Sequence, residues 1–190
     1  MASRPAALGR PRGRRNTSEQ LIKAAMAEFR ELGYNGTDSN KIARRAGFAP
    51  QTFYRWFADK TEIFIACYRA WEDEEKSVLD GLIEQNAPAS KLVDAIIQHH
   101  RKHLLFRRSL RLLAVEDPAV RKARAESRRR QAQRIREWRQ LPEQSTDRIL
   151  IALLQIERLA DACAEEEGSD LDLPDKQIRQ TIAELLSALN

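Results

Sequence analysis

The sequence predicts an all-α protein: an N-terminal three-helix helix-turn-helix domain followed by a larger helical domain, about nine helices in all. Three observations carry this. Glycine and proline are scarce, seven of each in 190 residues, while Ala, Leu, Arg, Glu, Gln and Lys, the strong helix formers, dominate and β-branched runs are few. Apolar residues recur with the helical period through most of the chain. Breakers and caps also fall at regular points, so that each periodic segment is closed before the next begins.

Helix one is expected to start at Asn16 or Thr17, with Glu19 or Gln20 three residues on in capping-box spacing. Leu21, Ala25, Phe29 and Leu32 then form one apolar stripe, and Gly33 closes the helix. Thr37 or Asp38 caps a short second helix carrying Ile42, Ala43 and Ala46, ended by Gly47. A third runs from Pro50, tolerated in a first turn because its missing N–H would be unpaired there, to about Phe57. Two short helices joined by a tight glycine turn, behind a supporting helix, are the sequence form of a helix-turn-helix.

Asp59, with Glu62 three residues on, caps a long helix reaching about Glu84. Further helices are expected over Lys91–Arg107, Leu110–Val115, Ala119–Gln140, Asp147–Glu166 and Asp175–Leu189, separated by Pro118, Pro142 and the acidic loop GSDLDLPD.

Ten of the twelve aromatic residues lie between Phe29 and Trp71. On a helix from Pro50, Phe53 and Phe57 share one side; Gln51, Thr52, Arg55 and Trp56 share the other, with Tyr54 at the border. The phenylalanines therefore belong to a small core. Tyr54 and Trp56 have polar edges placed to meet a phosphate, and a single-strand stacking platform, which needs several outward rings on strands, is not the pattern.

Charge is unevenly spread. Residues 1–60 hold twelve Lys/Arg against five Asp/Glu, whereas the remainder holds twenty-one against twenty-three. A local basic excess is the footprint of a polyanion binder. Its sharpest part is residues 1–15, read as a basic disordered arm in which Arg10, Arg12 and Arg14 alternate with Pro11 and Gly13, an extended form suited to a minor groove. A solubilising tail is the alternative reading.

No apolar window is long enough for a membrane span, and Arg14-Arg15 is followed by charges where an export signal needs an apolar stretch, so the expected location is cytoplasmic. Cys67 and Cys163 are isolated, without a disulfide framework or CxxC site. No phosphate-binding glycine loop, GxSxG or HExxH motif is present, so neither an enzyme nor a cofactor is expected.

Roughly residues 17–64, through LIKAAMAEFRELGYNGTDSNKIARRAGFAPQTFYRWFADKTEIF, resemble the DNA-binding domain of the TetR/AcrR family of transcriptional repressors. The resemblance rests on GYxxT before the second helix, IAxxAG into the turn, TFYRWF on the recognition helix and Lys60. It implies phosphate contacts from Thr37, Tyr54 and Lys60, with Gln51, Thr52 and Arg55 facing base edges. Arg44, Trp56 and the arm arginines Arg10, Arg12 and Arg14 complete the expected DNA-binding set. Where the family often has Gly, Gln51 adds a side chain able to read adenine. The same resemblance implies a homodimer on a palindromic double-stranded DNA operator, released by a small-molecule effector. It divides the chain into a helix-turn-helix domain at 16–60 and an effector-binding and dimerisation domain at 61–190.

For dimerisation, which the family achieves through its last two helices, the expected residues are Ile149, Leu153, Ile156, Ile178, Ile182 and Leu185; packing within one chain is the alternative. Residues 101–140 carry fourteen basic and four acidic side chains, and 141–190 four and eleven. The inward stripe of helix 91–107 includes His99, His103 and Phe106. That of helix 119–140 includes Arg124, Ser127, Gln131 and Trp138, with Arg134 nearby. Inward polar groups on two helices suggest a pocket for an acidic or hydrogen-bonding ligand; ion pairing of these arginines with the acidic C-terminal helices is the alternative. His99 and His103 have metal-ligand spacing, but no third ligand is evident, and no metal is expected. The competing functional class is a helical small-molecule-binding or catalytic protein with an incidental N-terminal domain.

Overall fold

A computed structural model describes residues 12–189, with side chains from Asn16 onward. Among these residues nine α-helices follow one another: α1 (Arg12–Leu32), α2 (Ser39–Arg45), α3 (Pro50–Tyr54), α4 (Lys60–Glu84), α5 (Ala89–Lys102), α6 (Leu104–Glu116), α7 (Pro118–Trp138), α8 (Thr146–Ala164) and α9 (Asp175–Ser187). Short 3-10 turns, Glu143–Ser145 and Glu167–Leu171, precede and follow α8.

Side-chain caps open three of the helices. Asp38 accepts from the Lys41 amide at 2.8 Å and opens α2. Asp59 accepts from the Glu62 amide at 2.8 Å while Glu62 reaches back to the Ala58 amide at 2.6 Å, a reciprocal cap for α4. Asp117 accepts from the Ala119 amide at 2.8 Å and starts α7 behind Pro118. Between α2 and α3 the chain turns on Gly47 at φ +81°. The Phe48 amide donates to Ala43 and the Gly47 amide to Arg44, closing α2 in a Schellman-like turn that a Cβ-bearing residue would strain.

Three expectations change. α1 begins at Arg12, so the backbone of Arg12 to Arg15 is helical and not part of an extended arm; Arg4 and Arg10 lie outside the described residues. α3 is short, with Arg55 to Phe57 in the turn that follows it. The helix expected over 91–107 breaks at His103, where φ −119° and ψ 31° leave the helical region and α6 sets off in a new direction.

Two apolar cores result. The first joins Leu21, Phe29, Ile42, Phe53 and Phe64 of α1–α4 to Phe106, Leu110 and Leu113 of α6 and Val120 of α7. The second is built from α5, α7, α8 and α9 around Ile97, Ala132, Ile149, Ile156 and Ile182. The N-terminal helices thus do not pack as an isolated unit. Phe64 and Phe106 stand 4.9 Å apart between ring centroids, and Ser109 of α6 accepts from the Tyr34 amide at 2.9 Å.

Candidate nucleic-acid interface and ligand cavity

Helices α2 and α3 and the turn after them present a set of solvent-exposed side chains. Arg44, Gln51, Tyr54 and Arg55 are exposed, Tyr54 by 58%, and Thr52 is half-buried. Phe53 and Phe57 point the other way, into the first core. This division is the one that helical geometry requires of TFYRWF. Trp56 is half-buried against the core, so most of its ring is committed to packing.

Two of the expected phosphate ligands are engaged elsewhere. Thr37 is buried and its hydroxyl donates to Glu28 at 2.6 Å. Glu28 also accepts from Arg45 at 3.0 Å, tying α1 to α2. The Lys60 ammonium donates to the carbonyls of Tyr34 at 2.8 Å and Thr37 at 3.0 Å and lies 4.0 Å from the Tyr34 ring centroid. Its burial holds its pKa below the usual lysine value. Both side chains fasten the turn between α1 and α2 to α4. They set the position of the helix-turn-helix, a role that sequence spacing cannot distinguish from contact.

In the C-terminal domain a cavity of about 790 Å³ opens between α4, α5, α7, α8 and the end of α9. Its walls are largely apolar: Tyr68, Trp71, Leu79, Leu92, Ile96, Ile135, Leu153 and Leu186. Of the residues expected to bind an effector, Gln131, Arg134 and Trp138 line it. Arg134 is exposed and Trp138 is stacked beneath the Arg139 guanidinium, 3.8 Å from the ring centroid.

The other five expected effector ligands do not line the cavity. Phe106 is in the first core. Ser127 donates to Glu72 in a buried pair. Arg124 donates to Glu157 at 2.6 Å, which is the ion-pairing alternative. His99 faces the Trp71 carbonyl, and His103, at the break between α5 and α6, faces Glu74.

His100 and Arg107 take their place, and the sequence offered no signal for either. His100 lies one step off the inward stripe, and Arg107 is one of many arginines in its region. Arg107 is only 1% exposed. Its Nε and Nη2 donate to Asp161 at 3.0 and 2.9 Å, and Nη2 also donates to Glu157 at 2.7 Å. Arg111 lies 2.9 Å from Asp161, and His100 Nδ1 is 2.8 Å from it. Arg124 and Arg128 converge on Glu157. Burial works to raise both acids, but Arg107, Arg124 and Arg128 hold Glu157 at about 2, and His100 and Arg107 hold Asp161 far below the carboxylate range. Burial likewise opposes the charged form of His100, yet Asp161 and Glu75 raise it. Glu72, on the cavity wall, is raised by burial and is steadied by Ser127 and by Gln131 at 3.1 Å.

The expected dimer residues are largely spent inside the chain. Ile149, Ile156, Ile178 and Ile182 are buried in the second core, Leu185 packs against it, and Leu153 lines the cavity. The strongest apolar stripe on each helix serves the intrachain core. The outward side of α8 instead shows Ile151 and Leu154, 57% and 49% exposed.

No described helix is long and apolar enough to cross a membrane. Residues 21–67 match the family model for bacterial regulatory proteins of the tetR family. The chain is 30% identical over 81 residues to the fatty acid metabolism regulator protein of Bacillus subtilis (strain 168), covering 43% of this chain and 42% of that protein. It is 34% identical over 71 residues to the transcriptional regulator TcmR of Streptomyces glaucescens, covering 37% and 31%. The matched segments thus span less than half of either relative.

The fold is shared over far more of the chain. A Rhodococcus sp. protein assigned to the TetR-family transcriptional regulators superimposes with a TM-score of 0.70 at 17% identity, over 92% of this chain and 98% of that one. Thermus thermophilus FadR, a TetR-family repressor in complex with lauroyl-CoA, gives 0.63 at 17% identity, over 90% and 92%. The helix-turn-helix segment, residues 21–67, is thus matched in sequence by the tetR family of bacterial regulatory proteins, and the full helical arrangement is matched in fold by TetR-family structures.

Proposed function

We propose that the chain is a transcriptional repressor that binds a palindromic operator as a homodimer and leaves it when a small molecule enters the C-terminal cavity. The observation that carries this reading is the exposed α2–α3 face, where Gln51 and Arg55 stand free of the core that fixes their helix. In this reading residues 16–60 are the DNA-binding domain and 61–190 the effector-binding and dimerisation domain. Gln51, Thr52 and Arg55 meet base edges; Arg44 and Tyr54 meet phosphates, joined by Arg10 and by Arg12 and Arg14 of the first turn of α1. Thr37, Trp56 and Lys60 act by positioning. Two recognition helices must stand about 34 Å apart, or a multiple of it, to enter successive major grooves.

The effector is an amphipathic acid. The apolar walls suit a hydrocarbon chain, and Arg134 and Arg139 at the Trp138 end suit its anionic head. The lauroyl-CoA held by the Thermus neighbour supports that class. Dimerisation uses the outward faces of α8 and α9, with Ile151 and Leu154 central. A linkage ties the start of α7, a helix of the cavity wall, to the head: Tyr34 Oη pairs with Thr61 at 2.9 Å, and Thr61 donates to Asp117, the cap of α7, at 3.2 Å. Selection of bound sites from random DNA, followed by titration of the complex with fatty acids and acyl thioesters of graded length, tests the reading. The expected result is a palindromic consensus and release that depends on chain length. Absence of sequence-selective binding would refute it.

A further inference from the structure

The break between α5 and α6 faces the middle of α4 and brings Glu74, His99 and His103 together. One ligand atom from each lies within 4.8 Å of the other two. His103 is the informative member. It is 2% exposed, and neither of its ring nitrogens has a hydrogen-bond partner among the described residues. A buried imidazole is ordinarily hydrogen-bonded, because it has surrendered its hydration. Its Nε2 is 3.7 Å from Glu74 Oε2, too far for a hydrogen bond and suited to a shared third atom.

The two neighbours are anchored on the sides facing away. His99 Nε2 lies 3.0 Å from the Trp71 carbonyl, which can only accept, so the proton sits on Nε2 and Nδ1 keeps its lone pair. Glu74 Oε1 accepts from Lys102 at 2.5 Å, leaving Oε2 toward His103. Backbone carbonyls holding ligand imidazoles, and donors holding ligand carboxylates, are the outer shell that orients metal sites. Glu74 is partly exposed and gives an ion a route in from solvent. Burial lowers the pKa of both imidazoles and so favours the neutral form that ligates.

We propose that Glu74, His99 and His103 bind one divalent first-row transition ion of the zinc class, with water completing its coordination. Two nitrogens and one carboxylate oxygen are a donor set such ions accept, and tetrahedral bonds of about 2.0–2.2 Å put donor atoms about 3.3–3.6 Å apart, so a pair at the 4.8 Å limit would close by about 1.2–1.5 Å. A bound ion would cross-link α4, which enters the DNA-binding domain at Lys60, to the α5–α6 break at the start of α6, the helix whose Ser109 holds the Tyr34 turn.

The test uses the full-length, untagged chain, stripped with chelator and titrated with Co²⁺ and then Zn²⁺. We expect one ion per chain, a visible d–d absorption displaced by Zn²⁺, and a raised melting temperature. Glu74→Gln, at a partly exposed position that leaves the fold intact, should weaken binding about tenfold or more; His103→Leu should abolish it while preserving helical circular dichroism. Lack of saturable binding up to about 100 µM would overturn the proposal, as would affinity unchanged in both variants. Neither readout involves DNA, so this result is independent of the operator-binding reading.

Discussion

Replacing Asp161 by Asn removes one charge from the most buried ionic cluster of the chain and leaves its shape. Asp161 is 2% exposed and faces Arg107, Arg111 and His100 at distances of 2.8 to 3.0 Å. Arg107, 1% exposed, would then depend on Glu157 alone, which Arg124 and Arg128 already share. Leaving a buried cation short of its partner costs about 3–5 kcal/mol. With a urea slope of about 2 kcal/mol per molar, the unfolding midpoint should fall by about 1.5–2.5 M. The measurement is urea denaturation followed by circular dichroism at fixed protein concentration, since dimerisation would make stability depend on it. A companion Asp161→Leu/Arg107→Met double variant should recover much of the loss, because an apolar pair of similar volume needs no charge compensation. A shift below about 0.5 kcal/mol for the single variant, or a double variant less stable than it, would refute the account. The pH sign follows from the depressed native pKa values. The stabilisation from Glu157 and Asp161 is fully present above their unfolded values near 4 and is lost as pH falls through the native ones, about 2 for Glu157 and lower still for Asp161.

Gln51→Ala and Arg55→Ala should each cost about 1–3 kcal/mol at cognate operators and relax base preference, read by gel shift against a site library; unchanged discrimination would remove them from the groove. Tyr54→Phe and Arg44→Ala should weaken binding to all sequences alike. Deleting residues 1–11 should lower the slope of log K against log salt by about 0.9 for each phosphate the segment neutralises, and an unchanged slope would make the segment a bystander. Ile151→Glu combined with Leu154→Glu should convert a dimer to monomer in sedimentation without loss of helicity, because neither side chain belongs to a core; a persisting dimer would place the interface elsewhere.

Much of the N-terminal domain was legible because its signals are local. Asp38 and Asp59 cap where they stand, Gly47 turns where a left-handed residue is needed, and the sides of α3 follow from angle alone. The cavity was legible only at Gln131, Arg134 and Trp138, which lie toward the C-terminal end of α7. For α5 the periodicity misleads at His103, since no glycine or proline announces the break and an uninterrupted helix would have carried His103 and Phe106 along the same stripe.

The sequence by itself determined the all-helical class, the place of the helix-turn-helix and which side of its last helix can meet a partner. Helical periodicity, capping and glycine turns act within a few residues, and their information is fully present in the chain order. Only the tertiary structure decided that Thr37 and Lys60 fasten a turn, that Ile149 and Ile182 serve the chain's own core, and that Arg107 is buried while Arg134 is exposed. A periodic stripe states that a face must leave water, but the free energy is the same whether an internal helix or a second subunit covers it. Whether an arginine lies in a cavity wall or an ion pair likewise depends on the acids that distant helices bring within 3 Å, and for Arg107 those acids are more than fifty residues away along the chain for Asp161 and fifty for Glu157.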